Sequence, residues 1–152
     1  MLTLRPLLSA APFAYSINEM NNTCTPLRYD AAAGALSVID GGTISVLPAD
    51  SKFAEYGGAA EITCSNDGKH VYASVRCTGG FNCCPPSEAG GDEQQHTNDK
   101  VFNRIAALSL DAETGACALV DDFDSGGSMP WSHCWASDLG DDLLLVQNQH
   151  TK

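Results

Sequence analysis

GGAAEITCSNDGKHVYASVR, residues 57–76, reads as two short strands joined by a tight turn. Ala59 to Cys64 forms the first strand, Ser65-Asn66-Asp67-Gly68 the turn, and His70 to Val75 the second strand. Asp-Gly between two β-rich runs is a strong hairpin signal and predicts a type I′ turn, whose two central residues both need positive φ. The second strand closes on Arg76, one of only eight basic residues in the chain, and leads straight into a polar segment.

Outward from the hairpin the same kind of element recurs. Helical periodicity is nearly absent, and short β-rich runs punctuated by Gly, Asp, Asn and Ser predict an all-β fold. The runs are Phe13–Ile17, Thr23–Tyr29, Ala35–Ile39, Ile44–Leu47, Ala59–Cys64, His70–Val75, Arg104–Leu110, Cys117–Phe123, Trp131–Ala136 and Leu143–Gln147. They also repeat. Tyr15-Ser16-Ile17-Asn18-Glu19 matches Tyr72-Ala73-Ser74-Val75-Arg76 and then Leu145-Val146-Gln147-Asn148-Gln149. Asp30-Ala31-Ala32-Ala33-Gly34 matches Asp111-Ala112-Glu113-Thr114-Gly115, and an equal offset to Gly68 and Gly140 equates Glu61 with His133. A unit of four antiparallel strands, repeated with partial copies at both ends, is the sequence form of a β-propeller blade. One blade is expected to be complete, from about Ala59 to Phe123. The blade before it is expected to lack its first strand, and the one after it its last two. Met1 to Pro12 stands outside the repeat, so the propeller portion is taken as residues 13–152. An insertion from Thr78 to Lys100, rich in Gly, Pro, Ser and acidic or amide residues, interrupts the period as a loop.

The composition limits the partners. Nineteen acidic against eight basic residues give a net charge of −11, which disfavours nucleic acid and anionic membrane surfaces. No run approaches the length of a membrane span. Seven cysteines, an odd number without a repeated C-x-x-C, make a poor disulfide framework and a poor zinc template. Cys77, Cys83, Cys84 and His96 match no zinc spacing, so no metal is expected. Reduced thiols and a cytoplasmic location are the expectation, and Asn21-Asn22-Thr23 is a glycosylation triplet of no weight in that setting.

Taken in order, the motifs resemble the seven-bladed lactonase propellers, the family of the bacterial-type 6-phosphogluconolactonase and the fungal carboxymuconate cyclase. They are Tyr15-Ser16-Ile17-Asn18-Glu19-Met20 (family Y-x-x-N-E-L), Gly58-Ala59-Ala60-Glu61-Ile62, and Ser65 to Arg76 (family S-P-D-G-R-x-L-Y-x-S-N-R). Asp111 to Gly115, Gly126 to His133 (family G-x-x-P-R-x-F) and Leu144 to Gln149 follow. The chain departs from the family at Val75, where an Asn is usual, and at Trp131, or Ser132 if counted back from Gly140, where an Arg is usual. The resemblance implies a glutamate and arginines at the mouth of a central channel, with Glu19 and Arg76 at the matching positions. Independently, the repeat places these two residues at equivalent strand ends of adjacent blades, hence side by side.

Lactone chemistry suits such a pair. A fixed guanidinium stabilises charge developing on a carbonyl oxygen, and a carboxylate in reach activates water. Glu19, Arg76 and His133 are the catalytic candidates. Asn18, Glu61, Asn148 and Gln149 are the substrate-binding ones. Each has a plainer role open to it: an interblade ion pair for Glu19 and Arg76, a packed histidine for His133, backbone bonding for Glu61, and loop bonding for the amides. The expected function is hydrolysis of a sugar lactone of the 6-phosphogluconolactone type, in carbohydrate metabolism, without a cofactor. A non-catalytic propeller scaffold is the alternative. The remaining blades are expected from a longer chain or from a partner.

Overall fold

The computed structural model describes residues 2–4, 13–49, 51, 58–76, 103–136 and 143–150. The insertion Thr78–Lys100 and the Cys77, Cys83, Cys84 and His96 group lie outside the described residues. Among the described residues, eleven strands form three antiparallel sheets in sequence order.

The first sheet contains β1 (Leu2–Leu4), β2 (Phe13–Asn18), β3 (Thr23–Asp30) and β4 (Ala35–Val38), in that spatial order. A two-residue β5 (Ile44–Ser45) pairs with the start of β3. The expectation that this blade lacks its first strand is corrected. Thr3 pairs with Tyr15 across β1 and β2, so part of the segment outside the sequence repeat supplies the missing strand. A strand pairs through its backbone, so β1 needs no sequence match to the first strand of another blade.

The second sheet is the blade expected to be complete: β6 (Gly58–Cys64), β7 (His70–Arg76), β8 (Arg104–Leu110) and β9 (Cys117–Asp124). The third sheet is the pair β10 (Ser128–Trp135) and β11 (Leu144–His150). β10 begins three residues before the expected Trp131 and carries Pro130 within it.

Burial follows the order of strands. Val71, Ala73, Val75, Ile105, Ala106 and Leu108 of the two middle strands are sealed, and Ile62 of β6 packs with them. β9, at the outer edge, alternates exposed and half-buried residues and carries Asp121, Asp122 and Asp124. Charged side chains on an edge strand discourage pairing with another chain.

The central hairpin forms as read, but its turn differs. Gly68 donates to the Ser65 carbonyl at 3.1 Å, and of the turn residues only Gly68, at φ 71, has positive φ. This is the pattern of a three-residue loop ending in a left-handed glycine rather than a two-residue type I′ turn. Asp67 explains the choice. Its Oδ1 accepts from Ser65 Oγ at 2.6 Å and from the Lys69 amide at 2.9 Å, which folds the loop around the carboxylate.

The two D-x-x-x-G turns are structural copies of each other. Asp30 Oδ1 accepts from the amides of Ala32 and Ala33, and Asp111 Oδ1 from those of Glu113 and Thr114, before Gly34 and Gly115 at φ 63 and 77. Gly115 also joins the first two blades. The Tyr15 hydroxyl donates to its carbonyl at 3.1 Å, and a Cβ there would strike the Phe13 ring.

Candidate active site

The strand ends equated by the repeat converge. Glu19 follows β2 in a short 3₁₀ turn (Glu19–Asn21), and Arg76 is the last residue of β7. Arg76 Nη2 donates to Glu19 Oε1 at 2.7 Å across the boundary between the first and second blades. The two partners are unequally buried: the Arg76 side chain is 6% exposed and that of Glu19 55%. Burial lowers the Arg76 pKa and Glu19 opposes that shift. Arg76 Nε is buried with no partner in the described structure. Such an unmet donor typically costs about 1–3 kcal/mol.

Trp131, on the third blade, completes the row. The Arg76 guanidinium carbon stands 3.8 Å from the centroid of its ring, a cation–π contact of about 0.5–2 kcal/mol. Trp131 Nε1 donates to Gln149 Oε1 at 2.6 Å. Glu19, Arg76 and Gln149 occupy the same repeat position in three successive blades, and Trp131 bridges the second to the third.

The other sequence candidates have different surroundings. Asn18 Nδ2 donates to the hydroxyls of Thr23 and Thr25, both at 2.9 Å, and so ties its own hairpin together. Asn148 exchanges two hydrogen bonds with Ser125 and packs over Gly127. Glu61 Oε1 accepts from the Ile62 amide at 3.0 Å, and Oε2 accepts from Ser132 of the next blade at 3.3 Å.

His133 requires a correction. Strand pairing sets Ile62 opposite Ala73 and His133 opposite Val146, so His133 is the counterpart of Ile62, while Ser132 is that of Glu61. A one-residue slip turns a strand residue to the other face. His133 is accordingly buried between blades, with Nε2 3.1 Å from the Tyr72 carbonyl and Nδ1 unpartnered. Burial pushes its pKa down to about 4, against the pull of that hydrogen bond. It lies three residues from the level of Gln149 and does not join the Glu19–Arg76 pair.

Two residues escaped the sequence reading. Asn22, buried at φ 51, accepts the Ala59 amide at 3.0 Å, and Asn103, also buried, accepts the Met129 amide at 2.7 Å. Each immediately precedes the third strand of its blade and holds the beginning of the next blade. The recurrence of Asn at that one place, Asn22-Thr23-Cys24 and Asn103-Arg104-Ile105, was the available signal. Among the described residues, no group of three or more His, Cys, Asp or Glu side chains is arranged to hold a metal ion.

Three in-order sheets joined at equivalent strand ends are consistent with a family match along nearly the whole chain. The family model "Lactonase, 7-bladed beta-propeller" matches residues 7–152. The chain belongs to this lactonase family. A protein of Arthroderma benhamiae named "Probable 6-phosphogluconolactonase" is 27% identical over 126 residues, spanning 81% of this chain and 26% of that protein. The 6-phosphogluconolactonase of Cronobacter sakazakii is 30% identical over 98 residues, 60% of this chain and 28% of that one. A crystal structure of a Lactobacillus plantarum protein superimposes with a TM-score of 0.65 at 22% identity, over 90% of this chain and 31% of the other. This lactonase-family chain thus spans between a quarter and a third of the length of these relatives.

Proposed function

We propose that this chain contributes part of the active site of a lactone hydrolase acting on a sugar lactone, with Arg76 and Glu19 in the chemical roles. The observation that carries the reading is the buried Arg76, held against Trp131 and joined at 2.7 Å to an exposed carboxylate from the neighbouring blade. Names of relatives that include 6-phosphogluconolactonase support the reaction class. In the hydrolysis, Glu19 takes a proton from water, whose oxygen bonds to the lactone carbonyl carbon. The negative charge arising on the carbonyl oxygen meets the Arg76 guanidinium. The carbonyl re-forms as the ring C–O bond breaks, and the departing alkoxide receives the proton held by Glu19, giving a hydroxy acid. A guanidinium fixed before substrate arrives needs no reorganisation as charge develops, and the ring contact with Trp131 supplies that fixation.

The test is hydrolysis of D-glucono-δ-lactone and its 6-phosphate by the full-length protein, with Arg76→Ala and Glu19→Gln beside it. Loss of an oxyanion donor lowers kcat by about 10²–10³, and loss of a general base by about 10²–10⁴. Unchanged rates in both variants would remove these residues from the reaction.

A non-catalytic propeller module is the second reading. It is favoured by the mutual engagement of Glu19 and Arg76 and by Met20, 86% exposed beside them, as a contact point for a protein partner. Partner capture without turnover would select it.

A further inference from the structure

Trp131 is held more tightly than packing requires and is left more open than a core residue. It is the extra residue of a β-bulge: Pro130 pairs with Asn148 and Ser132 with Gln147, which leaves Trp131 unopposed. Bulges re-aim side chains, and the bulge between Ala59 and Ile62 stands at the corresponding place in the second blade, with Ala60 where the third has Trp131. Two residues earlier Met129 sits at φ 58, a conformation a methionine adopts at a cost. The indole is pinned through Nε1 by Gln149 and on its ring by Arg76, yet the residue remains 45% exposed. A core tryptophan has no use for that exposure. A platform does.

The charges around it select the kind of ligand. Arg76 is paired with Glu19. Arg104, beside it at the start of β8, donates from Nε to Asp122 Oδ2 at 2.6 Å and from Nη2 to the Asp122 carbonyl at 2.7 Å. Among the described residues, both arginines at this end of the second blade are already engaged by carboxylates, while the aromatic surface stands open. A phosphate dianion brought to Arg76 would meet the Glu19 carboxylate already paired there, against like-charge repulsion. The C–H face of an uncharged sugar ring would only have to cover an indole.

We propose that Trp131 is a substrate-contacting, specificity-determining residue that stacks against the ring of an uncharged sugar lactone and favours it over a phosphorylated one. The inference rests on the lactonase reading for the reaction, but not for binding of the ring. It narrows the substrate class away from the phosphorylated lactone in the relatives' names.

Calorimetric titration of the full-length protein with methyl β-glucoside, a stable uncharged ring, and with glucose 6-phosphate tests it. Stacking on an aromatic face predicts that Trp131→Ala and Trp131→Leu weaken methyl β-glucoside binding about tenfold or more, while Trp131→Phe stays near wild type. In hydrolysis the same loss appears as a raised KM for glucono-δ-lactone, with kcat lowered beside it because the ring also holds Arg76, and Trp131→Phe spares both. Near-UV circular dichroism from Trp135, which stands edge-on to Tyr72 at 5.1 Å, reports whether each variant is folded. If Trp131→Ala fails to fold, the comparison of Leu with Phe decides. Unchanged affinity in Trp131→Leu, or tighter binding of glucose 6-phosphate than of methyl β-glucoside, overturns the proposal. Ring binding that depends on Trp131 without any turnover leaves it standing and refutes the lactonase reading instead.

Discussion

Acid sensitivity through His133 follows from its place between the second and third blades. The imidazole is 4% exposed, donates from Nε2 to the Tyr72 carbonyl, and buries Nδ1 without a partner. Protonating Nδ1 would put an uncompensated charge between blades. The folded pKa is therefore about 4, against an ordinary 6.5. Between those values the unfolded chain binds the proton and the folded one does not, so stability falls as pH falls. The contribution is fully present above pH 6.5 and is lost progressively down to about pH 4. At pH 4.5 the loss relative to pH 7 is about 2–3 kcal/mol, a large fraction of the stability of a small domain. Urea unfolding of wild type and His133→Leu at half-unit steps between pH 4.5 and 7 measures it. The wild-type curve should fall more steeply by up to about 1.4 kcal/mol per pH unit. Carboxylate titration is common to both proteins and cancels in the difference. Parallel curves would mean that His133 is not buried neutral between β10 and β7.

Other outcomes follow from single contacts. Asn22→Ala or Asn103→Ala leaves a buried amide of the next blade unpaired, and each should lower stability by about 1–3 kcal/mol in chemical denaturation. Gly115→Ala places a Cβ into the Phe13 ring at φ 77, so it should destabilise markedly, whereas Gly34→Ala, with open space around it, pays only the strain of its positive φ. Arg76→Lys keeps the charge but loses the planar stack on Trp131, so its activity should fall between those of wild type and Arg76→Ala in the lactone assay.

The strands of the second blade were legible because period, turn residues and repeat all agree there. Asp-Gly announced the hairpin, and the paired D-x-x-x-G segments announced the outer turn. The side-by-side placing of Glu19 and Arg76 was legible for the same reason: equivalent positions in a repeat of adjacent blades must be neighbours. Register was not. The paired ends Cys64 and Val71 lie closer in sequence than Trp135 and Leu144, and the extra residue between Trp135 and Gly140 makes a count back from that glycine assign His133, rather than Ser132, to Glu61. Strand β1 was hidden because backbone pairing leaves no sequence signature.

The sequence by itself therefore determined that this chain is made of propeller blades and which strand ends meet. Their spacing is covalent and their repeat is written in residue types. Tertiary structure alone decided what happens at the meeting point. Arg76 is buried, Trp131 covers it, Gln149 pins Trp131, and His133 turns inward instead, because each outcome depends on strand register and on what the neighbouring blade presents.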